Sequence, residues 1–138
     1  MSGIYVFDAC ALIALLTKEN GYTVVEKIME EAKNDNAQII MHKINLYEVF
    51  TNVYKTYNET AALNFLEEIK KSPIKLDGEV TDDIILKAGK LKMQHKMSLA
   101  DSIGLAETII LDGSFVTADH HELDEVCKNE KINFIWIR

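Results

Sequence analysis

The chain has 138 residues and a formal net charge of −7, with 48% hydrophobic and 27% charged residues. This length predicts one domain, residues 1–138, and the composition is typical of a globular protein, which excludes a disordered chain. The negative charge argues against binding nucleic acid through a broad basic surface, although removing four carboxylates gathered in one metal site would leave only −3.

The N-terminal sequence M-S-G-I-Y-V-F-D lacks the basic region and cleavage site of a signal peptide, and no apolar run reaches the length of a membrane span. The two cysteines, Cys10 and Cys127, do not have the spacing of metal ligands. We expect both to be buried thiols in a reducing compartment rather than a disulfide. These features predict a cytoplasmic protein that does not associate with a membrane.

Short β-branched and aromatic runs predict strands along the chain. They lie at 4–7, 38–41, 74–76 (the weakest), 115–117 and 134–137. Apolar residues recur at helical spacing between them, over 9–16, 25–32, 46–57, 62–69, 84–91 and 99–110, and Gly113 is expected to cap the last helix. Strands that alternate with helices predict an α/β fold: a three-layer α/β/α sandwich with a central, mainly parallel sheet of four to five strands.

Four acids stand at the starts of predicted helices. Asp8 and Asp119 follow strands, whereas Glu48 and Asp101 occur in capping-box spacing within Asn45-x-x-Glu48 and Ser98-x-x-Asp101. Asp119-x-x-Glu122 has the same spacing and predicts a further capping box. Each acid alone fits a helix cap favoured by the helix dipole. However, the carboxyl ends of parallel strands and the helix N-termini that follow them meet at the sheet edge where such folds bind ligands. The sequence therefore leaves two interpretations of these four acids: helix caps, or members of one shared site.

A shared site of four carboxylates requires a cation, because like charges in one crevice repel one another. Ligand sets made only of oxygen suit Mg²⁺ or Mn²⁺, and no nearby cysteine–histidine set favours zinc. Such a metal would activate water and stabilise charge on a scissile phosphate.

Four motifs carry a family resemblance that spans nearly the whole chain: I-Y-V-F-D-A-C-A-L-I-A-L-L, N-L-Y-E-V-F, S-L-A-D-S-I-G-L-A-E-T and F-V-T-A-D. The sequence resembles PIN-domain ribonucleases, most closely the small VapC-like toxins of VapBC-type toxin–antitoxin pairs. The resemblance implies an Mg²⁺- or Mn²⁺-dependent endoribonuclease, a homodimer and a cognate antitoxin. It assigns catalysis and metal binding to Asp8, Glu48, Asp101 and Asp119, with Thr117, Ser98 and Cys10 as supporting residues. Similar proteins often carry serine or threonine where this chain has Cys10, and a thiol orients a neighbouring carboxylate less well.

Three alternatives were weighed. A receiver-type phosphoacceptor domain requires a second acid beside Asp8, but Phe7 and Ala9 flank it. An RNA-processing PIN nuclease without a toxin role fits the same motifs. A non-catalytic RNA- or protein-binding module would be supported by loss of one acid, and all four are present.

Three further groups of side chains lie near these motifs. The basic segment 87–96 either keeps a helix face hydrated or flanks the substrate path. Of the adjacent His120 and His121, at most one can face the site. Tyr47, Tyr54 and Tyr57 are expected to pack in the core or in a dimer rather than to stack on bases.

Overall fold

Five parallel strands form one sheet at the centre of the protein, whose computed structural model describes residues 3–138. The strands are β1 (Gly3–Phe7), β2 (Ala37–His42), β3 (Ile74–Asp77), β4 (Ser114–Thr117) and β5 (Asn133–Trp136), in the spatial order β3-β2-β1-β4-β5. Every neighbouring pair is parallel. The predicted parallel sheet is confirmed, and the weakest of the predicted strands is its edge strand β3.

Helices cover both faces of the sheet. They are α1 (Ala9–Thr17), α2 (Tyr22–Lys33), α3 (Lys43–Thr56), α4 (Glu59–Lys71), α5 (Asp82–Gln94), α6 (Leu99–Leu111) and α7 (His120–Asn129). Phe7 packs in a core that includes residues of α1–α4, whereas its neighbour Val6 packs with residues of α5, α6 and α7. Since adjacent strand residues point to opposite faces, the layers are α/β/α, as predicted. Within residues 3–138, no helix is both long and apolar enough to cross a membrane.

The order of the strands reverses at β1, which pairs with β2 on one side and β4 on the other. Connections leaving on opposite sides open a crevice at the carboxyl ends of the two adjacent strands. Asp8 directly follows β1, and Asp119 lies two residues after β4. The topology therefore places these two acids together.

Two details of the predicted helix ends are wrong. Helix α3 begins at Lys43, where Nδ1 of His42 accepts a hydrogen bond from the Ile44 amide (3.1 Å), so Glu48 lies in the second turn and Asn45 is fully buried. Helix α6 ends at Leu111, and its C-cap is Asp112, which adopts the left-handed conformation (φ 52°). Gly113 is needed for a different reason, because a Cβ there would lie 2.8 Å from the carbonyl oxygen of Ile4.

Candidate metal centre

Asp8 is buried at the end of β1, and both of its carboxylate oxygens are held. The Ala11 amide donates to Oδ1 (2.9 Å), and the Thr117 hydroxyl donates to Oδ2 (2.5 Å). The same hydroxyl accepts a hydrogen bond from the Asp119 amide (3.1 Å). Thr117 therefore joins the carboxylate that follows β1 to the backbone that leads from β4 into α7.

Thr117→Val is expected to destabilise the protein by about 2 kcal/mol, because the substitution leaves one oxygen of Asp8 and the Asp119 amide without their partner in a buried place. Thr117→Ser keeps the hydroxyl and serves as the matched control. Chemical denaturation of both variants measures the effect. Equal stability of the valine and serine variants would contradict this role for the hydroxyl.

Asp101, Asp119 and Glu122 form the tightest group of acids in the described part of the chain. One carboxylate oxygen from each lies within 4.8 Å of the other two. Ser98 caps α6 by accepting from the Asp101 amide (3.1 Å), and Oδ1 of Asp119 caps α7 by accepting from the Glu122 amide (3.2 Å). The two caps therefore fix the starts of α6 and α7, and these helix starts bring the three carboxylates together.

All four predicted acids line one cleft of about 290 Å³ at the carboxyl edge of the sheet. Its walls are Asp8, Ala9, Cys10, Ile13, Glu48, Asn52, Ser98, Asp101, Asp119 and Glu122. Thr117 is fully buried and supports Asp8 through its hydrogen bond. None of these wall residues, all within 3–138, is a lysine, arginine or histidine, so the chain supplies five carboxylates and no cation to the cleft.

Sequence reasoning missed Glu122 and Asn52. Glu122 follows Asp119 by three residues, a spacing that puts both on one face of a helix, but the pair was interpreted only as a capping box. Asn52 lies one turn after Glu48 on α3 and brings an amide to the same wall.

Burial and mutual repulsion raise the pKa values of three of these acids, Asp8, Asp101 and Glu48. Burial raises the pKa of Asp8 to about 7, against the opposing effect of its hydrogen bonds from Thr117 and Ala11. Burial, followed by the charge of Asp8, raises the pKa of Asp101 to about 8. The pKa of Glu48 is also raised, first by burial and then by the charge of Glu122. A crowded set of oxygen donors without a counter-charge fits a hard divalent cation.

Cys10 is half-buried in the cleft, where burial and then the charge of Asp8 raise the pKa of its thiol to about 12. A protonated thiol is a poor metal ligand. Cys10 makes no hydrogen bond with residues 3–138, and Asp8 is oriented by Ala11 and Thr117 instead.

A second pair of carboxyl groups lies outside the cleft. Glu107 of α6 is buried beside Asp77 at the end of β3, and within residues 3–138 no donor reaches its carboxylate. Burial, and then Asp77, raise the pKa of Glu107 to about 8. A protonated Glu107 would donate a hydrogen bond to Asp77, and this bond would hold the pKa of Asp77 below its usual range.

The sequence model of the PIN domain matches residues 5–129. Among solved structures, the chain is similar to VapBC-1 from nontypeable Haemophilus influenzae (18% identity, TM-score 0.70, covering 97% of this chain and 98% of that one). It is also similar to VapBC2 from Rickettsia felis bound to a promoter DNA fragment, with 14% identity and a TM-score of 0.75 over 96% of this chain and 97% of that one. A third similar structure is DNA-bound VapBC from Salmonella typhimurium, with 12% identity and a TM-score of 0.72 over 100% of both chains. No curated protein matches the sequence. Because the PIN model covers most of the chain, from β1 to the end of α7, this protein belongs to the PIN-domain family.

Proposed function

We propose that the protein is a metal-dependent endoribonuclease. The observation that carries this proposal is the convergence of five carboxylates, without a positively charged side chain among them, in the crevice of a PIN fold. PIN domains are nucleases. Asp8, Glu48, Asp101 and Asp119, with Glu122, would hold Mg²⁺ or Mn²⁺.

Each part of the cleft has a distinct task in this proposal. The bound cation would lower the pKa of water and stabilise negative charge on the scissile phosphate. Asp8 is held at both oxygens, so it keeps a fixed position during turnover. Glu48 is the exposed acid, and it can pass a proton between the cleft and bulk water. Asn52 can donate its amide to the RNA backbone.

We also propose that the protein is the toxin of a toxin–antitoxin pair and acts in the cytoplasm. The similar solved structures are VapBC complexes, and an apolar groove of about 380 Å³ adjoins the cleft. This groove is lined mainly by Ile13, Leu16, Val53, Tyr57, Ala61 and Phe65. Ile13 and Asn52 line both spaces, so an antitoxin segment in the groove would reach the acids. A homodimer is proposed from the family resemblance alone.

The exposed tyrosines agree with a role at a protein surface. Tyr47 and Tyr57 are each 62% exposed and Tyr54 is 45% exposed, so they do not pack in the core, and packing in a dimer, the other part of that expectation, stays a prediction. Tyr57 lines the apolar groove.

Purified protein is expected to cleave RNA in the presence of Mg²⁺ or Mn²⁺, to leave 3′-hydroxyl and 5′-phosphate ends, and to stop when a chelator is added. Gel analysis of labelled RNA measures cleavage, and Asp8→Asn purified in parallel controls for contaminating nucleases. Chelator-resistant cleavage that is equal in both preparations would contradict the proposal.

A further inference from the structure

A second groove adjoins the cleft at Glu122, whereas the apolar groove adjoins it at Ile13 and Asn52. This polar groove has a volume of about 270 Å³ and is lined by Gln94, His95, Lys96, His121, Glu122 and Glu125. Glu122 also lines the acid cleft, so the two spaces adjoin at this side chain. Two grooves of different chemistry therefore adjoin the cleft, one apolar and one that carries a lysine, two histidines, a glutamine and two glutamates.

Two donors in the polar groove lack partners within residues 3–138. The Lys96 ammonium is exposed and forms no ion pair there. His121 is also exposed, and its ring makes no hydrogen bond with those residues. By contrast, both ring nitrogens of His120 are engaged, by Asp124 (2.7 Å) and by the Arg138 carbonyl (2.8 Å), and the ring stacks on Trp136. Only His121 of the two is free to bind a ligand beside the cleft.

The segment that carries Lys96 is held in place on both sides. His95 Nε2 lies 2.8 Å from the carboxylate of Glu130, the residue that follows α7, and Lys92 donates to the Met97 carbonyl (2.9 Å). The same segment leads into Ser98, the cap of the helix that bears Asp101. The distance of Lys96 from the acids is therefore set by the fold rather than by a loose loop.

We propose that the polar groove binds the backbone of the RNA strand next to the cleaved bond, with Lys96 and His121 contacting its phosphates. This inference rests on the proposed nuclease function. An acidic protein that cuts a polyanion requires local cations beside its metal site, because its overall charge repels the substrate. Lys96 supplies such a cation and His121 a ring N–H donor, and the groove adjoins the acids at Glu122. The Glu125 carboxylate in the groove lies against Asn129 (3.3 Å).

The test compares Lys96→Gln and His121→Gln with wild type in Mn²⁺, with single-stranded labelled RNA as the probe. Lys33→Gln is the matched control, since it removes the same charge from an exposed position at the end of α2, where the chain turns toward the opposite edge of the sheet. Each groove variant is expected to raise KM about fivefold and, for Lys96→Gln, to lower the slope of log KM against log salt by ~0.7. The kcat and the rise in melting temperature given by Mn²⁺ should stay close to those of wild type, because the acids are unchanged.

If Lys96→Gln has the same KM and salt slope as Lys33→Gln while the wild type cleaves RNA, the subsite is wrong and the nuclease proposal stands. If the wild type cleaves no RNA in Mn²⁺, both proposals are wrong. A lower kcat at unchanged KM would also overturn the subsite, because a residue that binds the flanking backbone acts on affinity.

Discussion

Asp101→Asn is expected to lower RNA cleavage by at least about 100-fold while the protein stays folded, and to relieve the growth arrest that we expect when the wild type is produced without the proposed antitoxin. The carboxylate lies within the group formed with Asp119 and Glu122, and the substitution removes one negative charge from the set that would hold the cation. The helix start does not depend on this side chain, because Ser98 provides the cap. Single-turnover cleavage, growth curves and circular dichroism measure the three effects.

Asp112→Asn is the matched control for this substitution. Asp112 lies at the other end of α6 and is exposed, and asparagine tolerates its left-handed conformation. Cleavage and growth arrest should be unchanged in this variant. If Asp101→Asn is as active and as toxic as Asp112→Asn, then Asp101 has only a structural role and the metal centre is misassigned.

Metal-free wild type is expected to lose at least about 3 kcal/mol of its free energy of unfolding between pH 5.5 and pH 8. The pKa values of Asp8, Asp101 and Glu107 are raised to about 7, about 8 and about 8 in the folded protein. The folded state therefore binds more protons than the unfolded state over this range. The stabilisation is complete below the unfolded pKa of about 4 and is lost as pH rises through the folded values. Urea denaturation in chelator at several pH values measures the slope.

Two variants separate the sources of this pH dependence. Asp101→Asn should remove part of the slope that comes from the cleft, and Glu107→Gln should remove the part that comes from the pair with Asp77. Mn²⁺ binds the charged form of the carboxylates, so it should reduce the part of the pH slope that comes from the cleft. The part that comes from Glu107, outside the cleft, should remain. Stability that rises steadily from pH 5.5 to pH 8 in chelator would show that these carboxyl groups are not protonated in the folded protein.

The sequence predicted the sheet and the helices well, because each element carries its own local pattern. Alternating strands and helices specify a parallel sheet, and such a sheet brings the residues after β1 and β4 to one edge. The positions of Asp8 and Asp119 follow from this rule. The motif around Asp101 also stands where expected, with Ser98 as its cap.

Features that depend on particular side-chain contacts could not be predicted in the same way. The start of α3 was placed too late because a histidine ring, rather than Asn45, accepts the capping hydrogen bond. The role of Gly113 depends on how close β1 passes, which no local pattern reveals. Glu122 was overlooked because the spacing that makes a capping box also puts two acids on one helix face.

Thermal melts of wild type, Asp101→Asn and Asp119→Asn at pH 8.5, in chelator and in excess Mn²⁺, test the metal centre most directly. In chelator, both variants are expected to melt at or above the wild-type temperature, because each relieves repulsion among crowded carboxylates. Excess Mn²⁺ should raise the melting temperature of the wild type above that of both variants by mass action, so the order of the melting temperatures reverses between the two conditions. If both variants melt below wild type by the same margin with and without Mn²⁺, Asp101 and Asp119 have only structural roles and the metal-dependent nuclease loses its physical basis.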